Sequence, residues 1–184
     1  MKTSESLVIT GYRNYEIGVF QDKDLKIEII KKVIREALTP LIEDGLQWVI
    51  TAGNLGVELW AAEEVIELKK EYPELKLALI FAFEGWGENW NEKNQLLLNN
   101  IKLQADYVNS TSHKPYQNPA QLRNHTRFLL EKTQGCLLVY DEEYPGKTDY
   151  FLKDARHFKL QQTYAIHQIT MDDLENAIYF DDFI

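Results

Sequence analysis

Short apolar runs alternate with segments of helical periodicity along the whole chain. The runs predict six strands, at 7–10, 46–51, 75–83, 105–110, 136–140 and 163–169. The segments between them predict helices at 25–43, 55–71, 92–104, 118–133 and 148–160, and a terminal helical turn or two within 171–178. In the first helix, apolar residues recur at the i, i+3, i+4 spacing of a buried face. Pro40 is expected to kink or break this helix near its end.

This alternation predicts a Rossmann-like three-layer α/β/α fold with a mainly parallel sheet of about six strands. The runs at 46–51, 75–83 and 136–140 are nearly continuous in apolar residues, as burial on both faces of a parallel sheet requires. No linker, repeat or low-complexity segment interrupts the pattern, so we expect one domain over residues 1–184. In such a sheet the carboxyl ends of the strands share one edge, and ligands bind there, where the strand order reverses.

Composition narrows the classes of function. The net charge of −9 makes a nucleic-acid partner unlikely, because nucleic-acid binders need a basic face. The single Cys136 excludes a disulfide within the chain. The first residues lack the apolar stretch of a signal peptide, and no apolar run approaches the ~20 residues that span a bilayer. We therefore expect a cytoplasmic protein with no membrane span.

Glycines are concentrated after the predicted strands. Six of the nine lie there, which suits close approach of the backbone to a ligand: Gly11, Gly53, Gly56, Gly85, Gly87 and Gly146. In the stretch TAGNLGVELWAAE (51–63), Gly53, Asn54 and Gly56 form a turn directly before a helix, whose free amides favour an anion. The spacing is neither that of a Walker motif nor G-x-G-x-x-G, so this stretch alone fits a tight turn as well as a ligand site.

Charged and amide side chains near this edge are the next candidates. Glu58, in the first turn of the helix, is either a favourable partner of the helix dipole or an acceptor for ribose hydroxyls. Arg13 directly follows the first strand. Arg123 and Arg127 share a helix face, with Asn124 beside them, and form either a solvated basic face or part of a ligand site.

The stretch EGWGENWNEKN (84–94) carries two tryptophans. Trp86 and Trp90 are candidates for a mobile lid that stacks on a base, or for a plug over the edge of the sheet. His113 and Lys114 are phosphate neighbours or ordinary surface residues. The sequence contains no H-E-x-x-H pair and no G-x-S-x-G turn, so it indicates neither a metal site nor a reaction type.

Three stretches together resemble a known group of proteins. ITGYR, TAGNLGVELWAAE and RNHTRFLLEKTQGCLLVYDEEYPGKTDYFLKDA are similar, in this order, to the signatures of the SLOG superfamily, which is named after the DNA-processing protein Smf/DprA and the cytokinin-activating LOG enzymes. The whole chain most resembles the bacterial YpsA family within it, over essentially residues 7 to 170.

The resemblance implies a Rossmann-like domain that binds a nucleotide or a nucleotide derivative such as ADP-ribose. Carried over by motif, it assigns ligand contacts to Gly11, Arg13, Gly53, Gly56, Glu58, Arg123, Asn124, Gly146 and Thr148. The LOG enzymes carry P-G-G-x-G-T-x-x-E with a catalytic glutamate. The corresponding YPGKTDYF has one glycine and no glutamate three residues after Thr148, which argues against that activity.

These observations favour a nucleotide-binding sensor or regulatory protein. Two alternatives stay open: a phosphoribohydrolase or N-glycosidic hydrolase using Glu58 or Asp141 as acid or base, and a DprA-like module that binds single-stranded DNA. The sequence names no cofactor beyond the nucleotide-type ligand. A homo-oligomer, through helix faces such as Val57/Trp60, and a protein partner are both compatible with it.

Overall fold

The computed structural model describes residues 5 to 181. Its strands are β1 (Ser6–Gly11), β2 (Trp48–Thr51), β3 (Lys76–Phe81), β4 (Tyr107–Ser110), β5 (Gly135–Val139) and β6 (Ala165–Ile169). Its α-helices are α1 (Leu25–Glu43), α2 (Val57–Glu71), α3 (Glu92–Gln104), α4 (Ala120–Lys132), α5 (Thr148–Lys159) and α6 (Met171–Asp181). A short 3-10 helix, Asn14–Ile17, which the apolar pattern does not predict, follows β1.

All six strands form one parallel sheet in the order β4-β3-β2-β1-β5-β6, which confirms the predicted fold class. Val8 in the middle of β1 pairs with Ile50 of β2 on one side and Cys136 of β5 on the other. The chain therefore adds strands in one direction from β1 to β4 and then returns to the opposite side of β1. The strand order reverses between β1 and β5, so the ligand crevice of this fold lies at their carboxyl ends.

Helices cover both faces of the sheet. Helices α1, α2, α3 and α6 contact one another on one face, and α4 packs beside α5 on the other, as right-handed crossovers require. The central strands β1 and β5 are buried almost throughout, whereas the edge strand β4 leaves Tyr107 and Val108 exposed. The core thus lies on both sides of β1, directly beneath the crevice.

A local signal explains where α1 begins. Asp24 caps α1, because its Oδ1 accepts the Lys26 amide at 2.9 Å. Helix α1 does not break at Pro40 but continues to Glu43, and the alternative of a kink stays a prediction. Its buried residues Ile34 and Leu38 pack in the core, and this packing outweighs the ~3 kcal/mol that a proline costs inside a helix. No helix among residues 5–181 combines the length and apolarity needed to cross a bilayer.

Candidate functional site

Four loops meet side by side at the carboxyl edge of the sheet. In the order of their strands they follow β3 (82–91), β2 (52–56), β1 (12–24) and β5 (140–147). Neighbouring strands lie about 4.8 Å apart, so the three intervals between these strands span about 15 Å. This length suits an extended ligand with several chemical groups better than a single small ion.

Glu58 shapes the loop after β2. The side chain is only 2% exposed. Its Oε1 accepts the Ala52 amide at 3.0 Å, and its Oε2 accepts Nδ2 of Asn54 at 2.8 Å. The Glu58 carboxylate therefore connects the loop before α2 to the first turn of that helix. It accepts these two hydrogen bonds within the protein itself.

Arg13 joins the loop after β1 to this carboxylate. Its Nη1 lies 3.4 Å from Glu58 Oε2 and donates to the Gly11 carbonyl at 3.0 Å. One-fifth of its side chain is exposed. Arg13 and Glu58 thus form an ion pair at the centre of the edge, and the Arg13 side chain stays partly exposed.

Close packing accounts for three of the predicted glycines. A Cβ on Gly56 would lie 2.5 Å from the Tyr12 carbonyl oxygen, and a Cβ on Gly11 would lie 2.6 Å from the Val139 carbonyl oxygen. A Cβ on Gly53 would lie 2.5 Å from the ring of Phe81. The structure gives these residues a role in bringing loops together, and their predicted contact with a ligand stays a prediction.

The start of α5 holds a second carboxylate. Oε2 of Glu16 accepts the Lys147 amide at 2.9 Å, while its Oε1 accepts the Arg13 amide at 2.7 Å. Thr148, the first residue of α5, is 2% exposed, and its hydroxyl is buried without a hydrogen-bond partner among residues 5–181. Buried hydroxyls normally have a partner, and among the described residues those of Thr148 and Thr51 are the two exceptions.

The aromatic loop after β3 packs against the edge of the sheet. Nε1 of Trp86 donates to the Gly53 carbonyl at 2.9 Å, and the ring stacks on Phe81 with centroids 6.2 Å apart. Trp90 packs on the core beside Gly87. This arrangement corresponds to the plug, and the mobile lid stays a prediction. Phe83 connects Trp86 to the half-exposed Tyr116, which extends an aromatic surface beyond Gly53.

Arg123, Asn124 and Arg127 are exposed on α4. Arg123 and Arg127 line a groove of about 670 Å³ between α4 and α5, together with Asp154 and His157. Neither Arg13 nor Glu58 lines this groove. The structure therefore separates the arginine pair from the Arg13–Glu58 cluster, and a ligand role for Arg123 and Asn124 stays a prediction.

The opposite side of α4 carries two buried polar residues that the sequence did not single out. Oε1 of Gln121 accepts the amides of Gln117 and Asn118 and so orders the loop containing the exposed His113 and Lys114. Nε2 of His125 lies 2.6 Å from the Ile80 carbonyl oxygen, and burial lowers the pKa of this histidine. The i, i+4 spacing of Gln121 and His125 was the sequence signal that could have placed them together on one face of the helix.

The side chains of Asp141 and Cys136 have structural roles. The Asp141 carboxylate accepts the amides of Glu143 and Met171, which fixes the loop after β5 and the start of α6. Burial raises the pKa of the Cys136 thiol to about 12, so it stays protonated and unreactive at neutral pH. Among residues 5–181, no group of three or more His, Cys, Asp or Glu side chains could hold a metal ion.

Tyr12 fastens the loop after β1 to the loop after β5. Its hydroxyl lies 3.0 Å from the Asp141 carbonyl oxygen and 2.9 Å from that of Tyr144, and it accepts the Asp141 amide at 2.9 Å. Tyr12 stands in the stretch ITGYR, but nothing in the sequence indicated its partners in the loop after β5. Tyr12 therefore joins the two loops at the strand-order reversal, in addition to the contact of Glu16 with the Lys147 amide.

Tyr12→Phe is expected to lower the free energy of unfolding by about 2 kcal/mol at pH 7, because it leaves these backbone groups without their partner. Burial raises the pKa of Tyr12 to about 12, from 10 for a free tyrosine. A raised folded-state pKa means that this contribution is complete below pH 10 and is lost as the pH rises towards 12. The difference between the wild type and the variant should therefore shrink over that range.

Urea unfolding at pH 7, 10, 11 and 12 measures this effect. Tyr116→Phe is the matched control, because Tyr116 is half exposed and its loss should change the unfolding free energy little at any pH. A constant difference for Tyr12→Phe from pH 7 to pH 12 would contradict the assignment.

Comparison with known proteins gives consistent matches over nearly the whole chain. The model of the YpsA family, described as the YspA SLOG family, matches residues 7–174. A UPF0398 protein from Enterococcus faecalis is 56% identical over 178 residues, covering 97% of this chain and 99% of the relative. The UPF0398 protein YpsA from Bacillus subtilis is 41% identical over 177 residues, covering 96% and 98%. A UPF0398 protein from Bacillus pumilus is 44% identical, covering 96% and 93%.

Proposed function

The chain belongs to the YpsA family of SLOG proteins, and we propose that it binds a nucleotide or nucleotide derivative, represented by ADP-ribose, as a sensor or regulatory protein. The ligand lies across the loops after β5, β1, β2 and β3. Its phosphate contacts the start of α5, and its nucleoside part extends over Asn54 towards the aromatic surface of Trp86 and Tyr116.

The observation that carries the proposal is the unpartnered hydroxyl of Thr148. It lies at the first position of α5, where helix amides attract anions, and beside the point where the strand order reverses. A phosphate oxygen would supply the missing acceptor once the loops at the start of α5 open enough to expose this buried hydroxyl. Arg13 adds a partly exposed positive charge from the neighbouring loop, which supports the same placement.

Binding without turnover is favoured over the two alternatives. Glu58 and Asp141, the carboxylates considered for acid–base chemistry, each hold two donors that maintain the protein's own loops. The net charge of −9 argues against a surface for single-stranded DNA. A sensor needs only the crevice and a ligand-dependent change in its loops.

Thr148→Val tests the proposal with little risk to the fold, because the hydroxyl it removes makes no hydrogen bond in the protein. The unfolding free energy should stay unchanged or rise by about 1 kcal/mol. The affinity for ADP-ribose should fall about tenfold, since a hydrogen bond to a charged group contributes about 1.5 kcal/mol. Calorimetric titration measures the affinity, and thermal unfolding measures the stability.

The matched control is Thr51→Val, which removes the other buried and unpartnered hydroxyl, at the end of β2. It should alter stability in the same direction and leave the affinity for ADP-ribose unchanged. A wild-type protein whose melting temperature and heat of titration do not respond to ADP-ribose, AMP or NAD would refute the proposal. Equal affinities of the wild type and Thr148→Val would show that the phosphate does not bind at the start of α5.

A further inference from the structure

Glu16 occupies the position in which the proposed ligand's phosphate would bind. Its two carboxylate oxygens accept amides from two different loops, Arg13 at 2.7 Å and Lys147 at 2.9 Å. A Cβ on Gly146 would clash with the same carboxylate, so the glycine leaves room for this side chain. A negatively charged group is therefore already bound where the loops after β1 and β5 meet.

The amides that hold Glu16 form an anion subsite. A carboxylate and a phosphate present similar acceptor oxygens to backbone amides, and both gain from the positive end of a helix. The buried hydroxyl of Thr148, next along the chain from Lys147, adds a donor that Glu16 does not use. The Glu16 carboxylate thus takes both amides, while the hydroxyl of the adjacent Thr148 has no partner among the described residues.

We propose that Glu16 is a built-in competitor for this subsite and sets its specificity: a ligand phosphate binds to the Arg13 and Lys147 amides and the Thr148 hydroxyl only by displacing the Glu16 carboxylate. This inference rests on the proposed function of the same crevice. Two like charges cannot share these donors, so the wild-type site rejects weakly held anions and accepts a phosphate only when the rest of the ligand contributes binding energy.

Displacement would also carry the signal of a sensor. Glu16 belongs to the 3-10 helix Asn14–Ile17, and the Arg13 amide it accepts lies at the start of that helix. Lys147 lies above the ring of the half-exposed Tyr15 in the same segment, 5.7 Å from its centroid. Release of Glu16 therefore loosens the attachment of this segment to α5 and changes the outer surface of the protein.

Glu16→Gln tests the inference because it keeps the size of the side chain and removes the competing charge. We expect it to raise the affinity for ADP-ribose at least tenfold and to leave the affinity for adenosine, which has no phosphate, within twofold of the wild type. Glu143→Gln is the matched control: it removes the same charge from an exposed side chain in the neighbouring loop and should change neither affinity more than twofold.

Calorimetric titration of the three proteins with both compounds separates the two proposals. ADP-ribose binding by the wild type with no gain in Glu16→Gln overturns the role of Glu16 and leaves the proposed function standing. An equal gain for adenosine overturns it as well, because the effect would then not concern phosphate. Binding of neither compound by any of the three proteins overturns both proposals.

Discussion

Gly56→Ala is expected to lower the free energy of unfolding by about 4 kcal/mol. Gly56 has φ 109° and ψ −138°, a conformation that residues with a side chain rarely adopt and that costs about 1–3 kcal/mol. The new Cβ would also lie 2.5 Å from the Tyr12 carbonyl oxygen and 2.6 Å from the Asn14 amide nitrogen. These are backbone atoms, so relief requires the two loops to separate, which adds an overpacking cost of about 1–3 kcal/mol.

The separation would break a specific contact as well. The Val57 amide, at the start of α2, donates to the Tyr12 carbonyl at 3.0 Å. This bond joins the loop after β1 to the helix that follows β2, so its loss should loosen the crevice in addition to lowering stability. Urea unfolding followed by circular dichroism gives the free energy, and the near-ultraviolet signal of the aromatic side chains reports the packing.

Gly18→Ala separates conformational strain from packing. Gly18 also has a positive φ, 68°, but the nearest atom to its added Cβ is the flexible end of Lys26, 3.8 Å away. The strain alone should cost about 1 kcal/mol. If Gly18→Ala and Gly56→Ala cost the same, the close approach of the loops contributes nothing and the packing argument fails.

The alternation of apolar runs and helical stripes predicted this fold because both periodicities are local. All six strands and the five main helices appear within a few residues of their predicted positions. The helix continues past Pro40 for a tertiary reason, since Leu38 before the proline is buried in the core and Leu41 and Ile42 after it pack against the core. The short 3-10 helix after β1 was missed because four residues carry no periodicity.

The candidate site was predictable only in part. The fold placed Arg13 and the stretch around Glu58 on the same edge, and the structure brings their side chains within 3.4 Å. Glu16 and Tyr12 escaped notice because their partners lie about 130 positions away along the chain, at Lys147 and Asp141. Pairings between loops depend on strand order, and the sequence does not display strand order.

The glycines also show that the sequence does not identify contacts between loops. Their concentration after the strands indicated close approach of the backbone, and that indication agrees with the structure. At Gly56 the approaching group in the structure is the loop after β1, and the contact with a ligand stays a prediction. A glycine in the sequence indicates that another group approaches its backbone closely, and only the tertiary structure identifies that group.

Glu58→Ala is expected to lower the free energy of unfolding by about 3 kcal/mol. The change leaves the Ala52 amide and the Asn54 side-chain amide without their acceptor and deprives Arg13 of its charged partner in a mostly buried position. Removing one partner of a buried ion pair typically costs about 3–5 kcal/mol, and the partial exposure of Arg13 places this case at the lower end. Chemical denaturation at neutral pH measures the loss.

Two further variants identify the cause of the stability loss in Glu58→Ala. Glu67→Ala removes a carboxylate from the exposed side of the same helix, where it pairs with Lys70, and should leave the free energy of unfolding unchanged within error. In the background of Arg13→Ala, Glu58→Ala should cost about 1 kcal/mol less than in the wild type, because the ion pair is already absent. Additive losses would show that the two side chains do not interact.

The size of this loss decides how Glu58 can be used to study the ligand. If Glu58→Ala is much less stable than the wild type, a loss of ADP-ribose affinity in that variant can result from disruption of the turn before α2. It then gives no information on contacts with ribose hydroxyls. If instead its stability equals that of the wild type, the three contacts of the carboxylate do not hold the turn, and a buried charge with no structural role is best explained by the ligand. Stability must therefore be measured before affinity at this residue, whereas Thr148, whose hydroxyl has no partner to lose, allows the two to be read independently.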